Sequence, residues 1–409
     1  TARAAGSGDR KSALKLSRAL RERHYETAGE LLGTALFTQF HGELGADFDE
    51  LEELIRGIAA VGELTPRTTD QVASYGEVLS SKIVSAAFSA HGMESSLVDS
   101  RECIVTDANY TRAAPLFDET NQQLKLALQP LLDEKRVPVM GGFIGANKAG
   151  VTTTIGRGGS DFSAAIIGAA LNADKIEIWT DVDGMLTTDP RMCPDARRIK
   201  VISFDEAAEL AYFGAKVLHP ATVLPAIQKN IPVFVLNSRN ASCEGTKITA
   251  RAPQSRNIFK AIAVKKRITI VDVAAPRRLL LHGFLKSIFE AFDRHGIAVD
   301  VVSTSEVSVS VTMETNEAIP ALSADLAKLA DVKYEGRKAI ICLVGENLRE
   351  TPGIAARVFG ELEDVKIRMI SQGASEINLT FVIEEDDVQR VIQRLHNTFF
   401  ADLDQEVFA

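Results

Sequence analysis

The sequence predicts an α/β domain built on a largely parallel sheet, followed by two small α+β modules. Three observations carry this. Strand-like and helix-like segments alternate between about residues 137 and 236, the pattern of parallel strands joined by helical crossovers. After about residue 253 the texture changes and the chain repeats itself: residues 283–313 lie over residues 353–383 with a constant offset of 70 and no gap. Size agrees: 409 residues, 45% hydrophobic and 25% charged, suit a globular chain of two to four domains.

Taken in order, residues 11–24 (KSALKLSRALRERH) place Ala13, Leu16 and Leu20 on a weak helical stripe among many charges. Helical texture continues to about Phe88, with Leu51, Leu54, Ile55 and Ile58 at helix spacing. Residues 137–140 (VPVM) read as a short buried strand running into Gly141 and Gly142. Residues 160–171 form a helix rich in Ala and Ile, 175–180 (KIEIWT) a strand, 221–229 a helix and 231–236 (IPVFVL) a strand. In the repeat each copy reads as loop, helix, strand, turn, strand. Phe289 falls on Phe359, Ile297 on Ile367, and Ser305-Glu306-Val307 on Ser375-Glu376-Ile377, while Val307, Val309 and Val311 alternate as half-buried strand positions. The ungapped Ser-Glu turn marks an internal duplication. The expected boundaries are 1–255 for the α/β domain and 263–338 and 339–409 for the modules, the last drawing its first strand from about 263–274.

Several functions are disfavoured. The longest apolar stretches, such as residues 164–171, fall far short of the roughly 20 residues of a membrane-spanning helix. With 46 basic and 55 acidic residues the formal charge is −9, which argues against a nucleic-acid partner. Four scattered cysteines without a CxxC pair point away from a disulfide framework or zinc site, so a reducing cytoplasm is expected.

Three segments carry chemistry. TTTIGRGGSD (152–161) feeds a glycine turn into an apolar helix, where Ser160 or Asp161 can cap. Such a helix N-terminus can hold a phosphate or carboxylate, although a plain capped turn has the same sequence. It matches neither a Walker A loop nor GxGxxG. WTDVDGMLTTDPR (179–191) is a strand end and polar loop, placed where α/β sheets bind ligands. FGAKVLHP (213–220) sets one cation, Lys216, among apolar neighbours; His219 is read as a core or turn residue without a role.

Together and in this order the three segments resemble those of the aspartokinases within the amino-acid kinase family. Ala73-Ser-Tyr-Gly-Glu77 resembles its Ser-x-Gly-Glu segment, Gly141-Gly-Phe-Ile-Gly145 its Gly-Phe-Ile-Gly segment, and the tandem repeat its paired ACT modules. The resemblance implies a three-layer amino-acid kinase sandwich and two ferredoxin-like βαββαβ ACT modules. It implies ATP-dependent phosphorylation of the aspartate β-carboxylate, the first step toward lysine, threonine and methionine, with Mg²⁺ accompanying ATP and no prosthetic group. Glu77 would hold the substrate ammonium and Arg157 clamp a carboxylate, with Gly142, Phe143, Gly158, Gly159 and Ser160 lining the pocket. Lys216 would meet the ATP phosphates and Asp161 orient the lysines around the transferring group; Thr180, Asp181, Leu186 and Arg191 would border the nucleotide. No protein ligand set for a metal can be read.

In the first module Gly283, Phe284, Leu285, Asp300, Ser305 and Glu306 match the effector positions of lysine-sensitive members. Arg278 and Leu281 depart from that pattern, and threonine is the alternative effector. ACT pairing implies a homodimer. The family's opening Lys-x-Gly-Gly-Thr-Ser strand is missing from these 409 residues. By resemblance Thr1 falls just after it, so the sequence is expected to be N-terminally incomplete and, alone, to turn over poorly. A non-catalytic amino-acid sensor and a fragment of a bifunctional enzyme are the competing expectations; the Leu395–Phe400 stretch (LHNTFF), like that closing monofunctional members, counts against the second.

Overall fold

The computed structural model describes residues 1–214, 220–274 and 283–409. Lys216 and His219, and likewise Arg278 and Leu281, lie outside the described residues. The elements run α1 (Ala2–Gly6), α2 (Arg10–Val61), α3 (Pro66–Ala90), β1 (Ser95–Leu97), α4 (Ser100–Cys103), β2 (Val105–Thr106), α5 (Phe117–Asp133), β3 (Val137–Val139), β4 (Ile144–Asn147), β5 (Thr152–Thr154) and α6 (Gly159–Leu171). There follow β6 (Ile176–Thr180), β7 (Val201–Ser203), α7 (Phe204–Tyr212), α8 (Leu224–Lys229), β8 (Val233–Asn237), β9 (Thr246–Thr249) and β10 (Ala261–Ala274). The repeat supplies α9 (Phe284–Arg294), β11 (Val302–Thr304), β12 (Ser308–Glu314), α10 (Ile319–Leu326), β13 (Asp331–Val344), α11 (Ile354–Gly360), β14 (Met369–Gln372), β15 (Asn378–Glu384) and α12 (Val388–Phe399). The chain divides into two compact units, residues 1–176 with 221–231, and residues 177–220 with 232–409.

In the first unit the long helix α2 starts where Asp9 accepts from the Ser12 N–H and ends at Gly62 in the left-handed region. It breaks at Gly33, whose φ of 68° is outside the helical range. Helix α3 begins with Pro66 behind a capping box made by Thr65 and Thr68. Leu44, Phe48, Leu51, Ile55 and Ile58 recur at helical spacing and pack on Leu79, Ile83 and Ala87. The stripe expected nearer the start is weaker than read: Ala13 is buried, but Leu16 and Leu20 stay 47% and 40% exposed. The strand at residues 137–139 exists and pairs parallel with β1, yet only its last residue, Val139, is buried. Strands β2 and β4 pair parallel and β4 and β5 antiparallel, so this unit's sheets are small and mixed.

The second unit holds two sheets. One has the order β6-β8-β9-β7, with β7 parallel and β8 antiparallel to β9. The other is a single six-stranded sheet, β11-β12-β10-β13-β15-β14, in which the duplication is legible strand by strand. The offset of 70 carries the bounds of β10 onto those of β13, and those of β12 onto those of β15. It also carries Arg267 (φ 58°) onto Arg337 (φ 55°), and Gly283 (φ 95°) onto Gly353 (φ 73°), the last two capping α9 and α11. Each long central strand serves both modules. Residues 268–274 of β10 lie between β12 and residues 331–338 of β13, while residues 261–265 pair with residues 340–344 beside β15. A register shift between Lys265 and Ile268 marks the handover.

Candidate functional site

In the first unit the predicted pocket residues converge on the N-terminus of α6. Gly141 and Gly142 bring the turn after β3 against two helices. A Cβ on Gly141 would sit 3.0 Å from the Glu77 Cβ, and one on Gly142 would sit 2.9 Å from the Ser160 Cα. From the other side, a Cβ on Gly159 would meet the Phe143 ring at 2.7 Å. Backbone and side-chain bonds hold the turn: Ser100 Oγ donates to the Gly141 carbonyl at 2.5 Å, and the Phe143 N–H donates to Ser163 Oγ at 3.0 Å. Phe143 itself adopts a left-handed φ of 66°, an uncommon state for an aromatic residue and a mark of local constraint. Gly158, at φ 72°, occupies the N-cap of α6.

Around this turn the carboxylates of Glu77 and Asp161 are half-buried, and burial pushes both above the usual carboxylate range. Arg157 and Ser160 are exposed. The structure therefore packs Glu77 on Gly141, Ser160 on Gly142 and Phe143 on Gly159 around one glycine turn, with Gly158, Arg157 and Asp161 as immediate chain neighbours.

One residue of this cradle escaped the sequence reading. Asp70 is fully buried and accepts four hydrogen bonds, from the Thr111 N–H at 3.0 and 2.9 Å, the Thr154 N–H at 3.0 Å and Thr154 Oγ1 at 2.7 Å. It thereby pins both chains that flank the glycine turn, since the Thr111 carbonyl lies 3.1 Å from where a Gly156 Cβ would stand. Asp70 is seven residues before Glu77 on α3, two helical turns along the same face, and that spacing was the available signal.

The predicted nucleotide residues fall in the second unit, at the end of β6. The Thr180 carbonyl accepts from Ser238 through its N–H at 2.8 Å and its hydroxyl at 2.9 Å. Asp181 is exposed. The loop closes tightly at Gly184, φ 119°, where a Cβ would clash with Thr246 Oγ1 at 2.5 Å, and Leu186 forms a bridge with Arg198. Arg191 is exposed, with its guanidinium forked onto Asp189 at 3.0 and 2.7 Å. That pair raises the arginine and lowers Asp189.

Of the effector positions, Gly283 caps α9, Leu285 is 46% exposed, and Phe284 packs partly on the first module's core. Ser305 Oγ holds its own turn by accepting from the Ser308 N–H at 3.1 Å, and Glu306 faces solvent. Asp300 is different: its side chain is only 2% exposed and accepts from Lys265 Nζ at 2.5 Å. Burial pushes Asp300 up against the opposing pull of Lys265.

Fold and site together define an amino-acid kinase domain joined to paired ACT modules. Residues 12–237 match the amino acid kinase family, and residues 341–399 match the ACT domain. The lysine-sensitive aspartokinase 3 of Escherichia coli is 38% identical over 365 residues, covering 86% of this chain and 81% of that protein. The crystal structure of E. coli aspartokinase III with aspartate and ADP, in its R-state, superposes with a TM-score of 0.83 at 34% identity, covering 98% of this chain and 90% of that one. The same enzyme with lysine and aspartate, in its T-state, gives 0.80 at 34% identity, with coverages of 98% and 89%. The chain belongs to the aspartokinases, phosphotransferases of the amino acid kinase family. No helix among the described residues is long and apolar enough to cross a membrane.

Proposed function

We propose that this chain works by binding L-aspartate at the α6 N-terminus and passing it the γ-phosphoryl group of MgATP, under feedback by lysine. A β-carboxylate oxygen attacks the γ-phosphorus, the bond to the ADP oxygen breaks, and 4-phospho-L-aspartate and ADP leave. No enzyme nucleophile is needed, so catalysis consists of positioning and charge neutralisation. Glu77 receives the substrate ammonium, Arg157 clamps a carboxylate with its planar fork, and the N–H groups of the α6 terminus with Ser160 complete the cradle. Lys216 neutralises phosphate charge and Asp161 orients it; Thr180, Asp181, Leu186 and Arg191 border the nucleotide. Arg191 would exchange Asp189 for a phosphate. No cluster of three metal-ligating side chains occurs among the described residues; Mg²⁺ would enter with ATP as part of the nucleotide substrate. The Gly283–Leu285 helix start with Asp300, Ser305 and Glu306 takes the effector, and two chains pair through their ACT modules as a homodimer.

The observation that supports this reading is the close packing of Glu77 on Gly141, Ser160 on Gly142 and Phe143 on Gly159, which only glycine at those three positions permits. Aspartate calorimetry on Glu77→Gln tests it. We expect affinity to fall about 10- to 100-fold, the loss of one charge-assisted bond of roughly 1.5–3 kcal/mol. Because burial raises Glu77, ionising it costs stability once the pH exceeds its folded value, and the cost vanishes below the unfolded one. The Gln variant should therefore be at least as stable as the parent at neutral pH, which separates lost binding from unfolding. Unchanged aspartate affinity would remove Glu77 from the pocket.

A further inference from the structure

At the first module's effector carboxylate the chain already supplies an ammonium of its own. Asp300 Oδ1 accepts from Lys265 Nζ at 2.5 Å, while Oδ2 is buried with no hydrogen-bond partner within 3.5 Å among the described residues, the Tyr212 hydroxyl lying near enough to the carboxylate to act on it without closing that bond. Lys265 is held in place rather than free to swing. It pairs with Ile340 at the last position before the register shift in β10. Its ammonium lies 5.5 Å from the ring centroid of Tyr212, the final residue of α7, whose hydroxyl donates to the Val299 carbonyl at 3.3 Å. Seventy residues on, the second module carries Glu335 and Ile370 at the positions of Lys265 and Asp300, so this charge arrangement is confined to one module.

We propose that Lys265 is the specificity-determining residue of the effector site. With its ammonium on Oδ1, Asp300 presents an arriving amino acid with one free oxygen next to a like charge. A cationic side chain then meets a nearly neutral ion pair and gains little over a neutral one. A hydroxyl side chain such as that of threonine needs only an acceptor, and Oδ2 supplies it. Lys265 thus weakens discrimination in favour of lysine, and removing its charge restores Asp300 as a full counter-ion for an incoming ammonium. The proposal rests on the reading of Asp300 as an effector ligand given above.

The test is calorimetry of the full chain with L-lysine and L-threonine, on the parent and on Lys265→Met, Lys265→Gln, Lys265→Arg and Asp300→Asn. Lys265→Met should raise the ratio of lysine to threonine affinity about tenfold or more, while Lys265→Arg stays within about twofold of the parent. Lys265→Gln keeps a donor to Oδ1 and removes only the charge, so it gives the same answer if the Met variant fails to fold. A ratio that is unchanged or lower in the folded Met or Gln variant overturns the proposal, as does absence of lysine binding there. The underlying reading fails separately, and the proposal with it, if Asp300→Asn leaves lysine affinity untouched.

Discussion

The two ACT modules share one sheet, one element order and matching positive-φ residues, yet they spend their polar groups differently. In the first module the buried carboxylate Asp300 has one oxygen satisfied and one open, and the turn at Ser305 bonds only within itself. In the second module the equivalent turn is tied down: Glu209 of α7 accepts from Asn378 Nδ2 at 2.8 Å and from Ser375 Oγ at 3.3 Å. Beside it, Lys260 is 1% exposed and pairs with fully buried Glu206 at 3.0 Å and with Glu346 at 2.6 Å. Glu206 also closes the capping box of α7 by accepting from the Ser203 N–H at 2.9 Å. One short helix therefore carries an anchor to the second module at Glu206 and Glu209, and a contact with the first at Tyr212. The difference teaches that a duplicated fold conserves backbone geometry more strictly than side-chain pairing: the second copy is tied to α7 through Glu206 and Glu209, while the first holds a buried carboxylate with one oxygen open.

Lys260→Met offers the severest test of this contrast. It strands a buried Glu206 without its counter-ion, and urea denaturation should show a loss of about 3–5 kcal/mol. Lys265→Met in the first module should cost less, about 1–3 kcal/mol, because Lys265 is 23% exposed whereas Lys260 is enclosed at 1%. The reverse ranking would break the comparison. Next comes the response to lysine. At 100 times its dissociation constant the ligand stabilises by about 2.7 kcal/mol, and Asp300→Asn should abolish the resulting shift in Tm. Glu376→Gln, the second-module counterpart of a change at Glu306, should leave it intact.

A smaller effect is expected from Glu209→Ala, which removes the acceptor shared by Ser375 and Asn378 and should cost about 1–2 kcal/mol. Hydrogen exchange should lose protection around residue 378 first; Ser308→Ala, its first-module counterpart, should change little. Smallest are the surface ion pairs. Asp325, beside Lys328 and His295, and Asp364, beside Arg394 and Arg390, are both lowered from 3.8 to about 2. Carboxylates with depressed values add stability that is fully present above the unfolded pKa and is lost as pH falls toward the folded one. A Tm profile between about pH 4 and 2 should therefore flatten in Asp364→Asn, with a small loss of Tm at pH 7 that disappears toward pH 2.

Much of the fold was legible because hydrophobic period and glycine placement are local signals. The offset of 70 predicted the paired modules, and TTTIGRGGSD predicted a glycine turn into a helix, because positive φ at Gly156 and Gly158 is a requirement that few other residues meet; the cap, however, is Gly158 itself and not Ser160 or Asp161. The early stripe was misjudged at Leu16 and Leu20, since periodicity shows which face is apolar but not whether anything covers it. Asp70 was missed for a related reason: a lone aspartate in a helix looks solvated until the partners that bury it, Thr111 and Thr154, arrive from 41 and 84 residues away.

What the sequence by itself determined is the kind of protein this is. The order and spacing of TTTIGRGGSD, WTDVDGMLTTDPR and FGAKVLHP, followed by a duplicated module, carry that reading. Only the tertiary structure decided which charges meet. That Lys265 rests on Asp300, that Lys260 is enclosed by Glu206 and Glu346, and that the two modules share their central strands all depend on packing between distant segments. In each case burial, rather than residue identity, sets how strongly the charge acts.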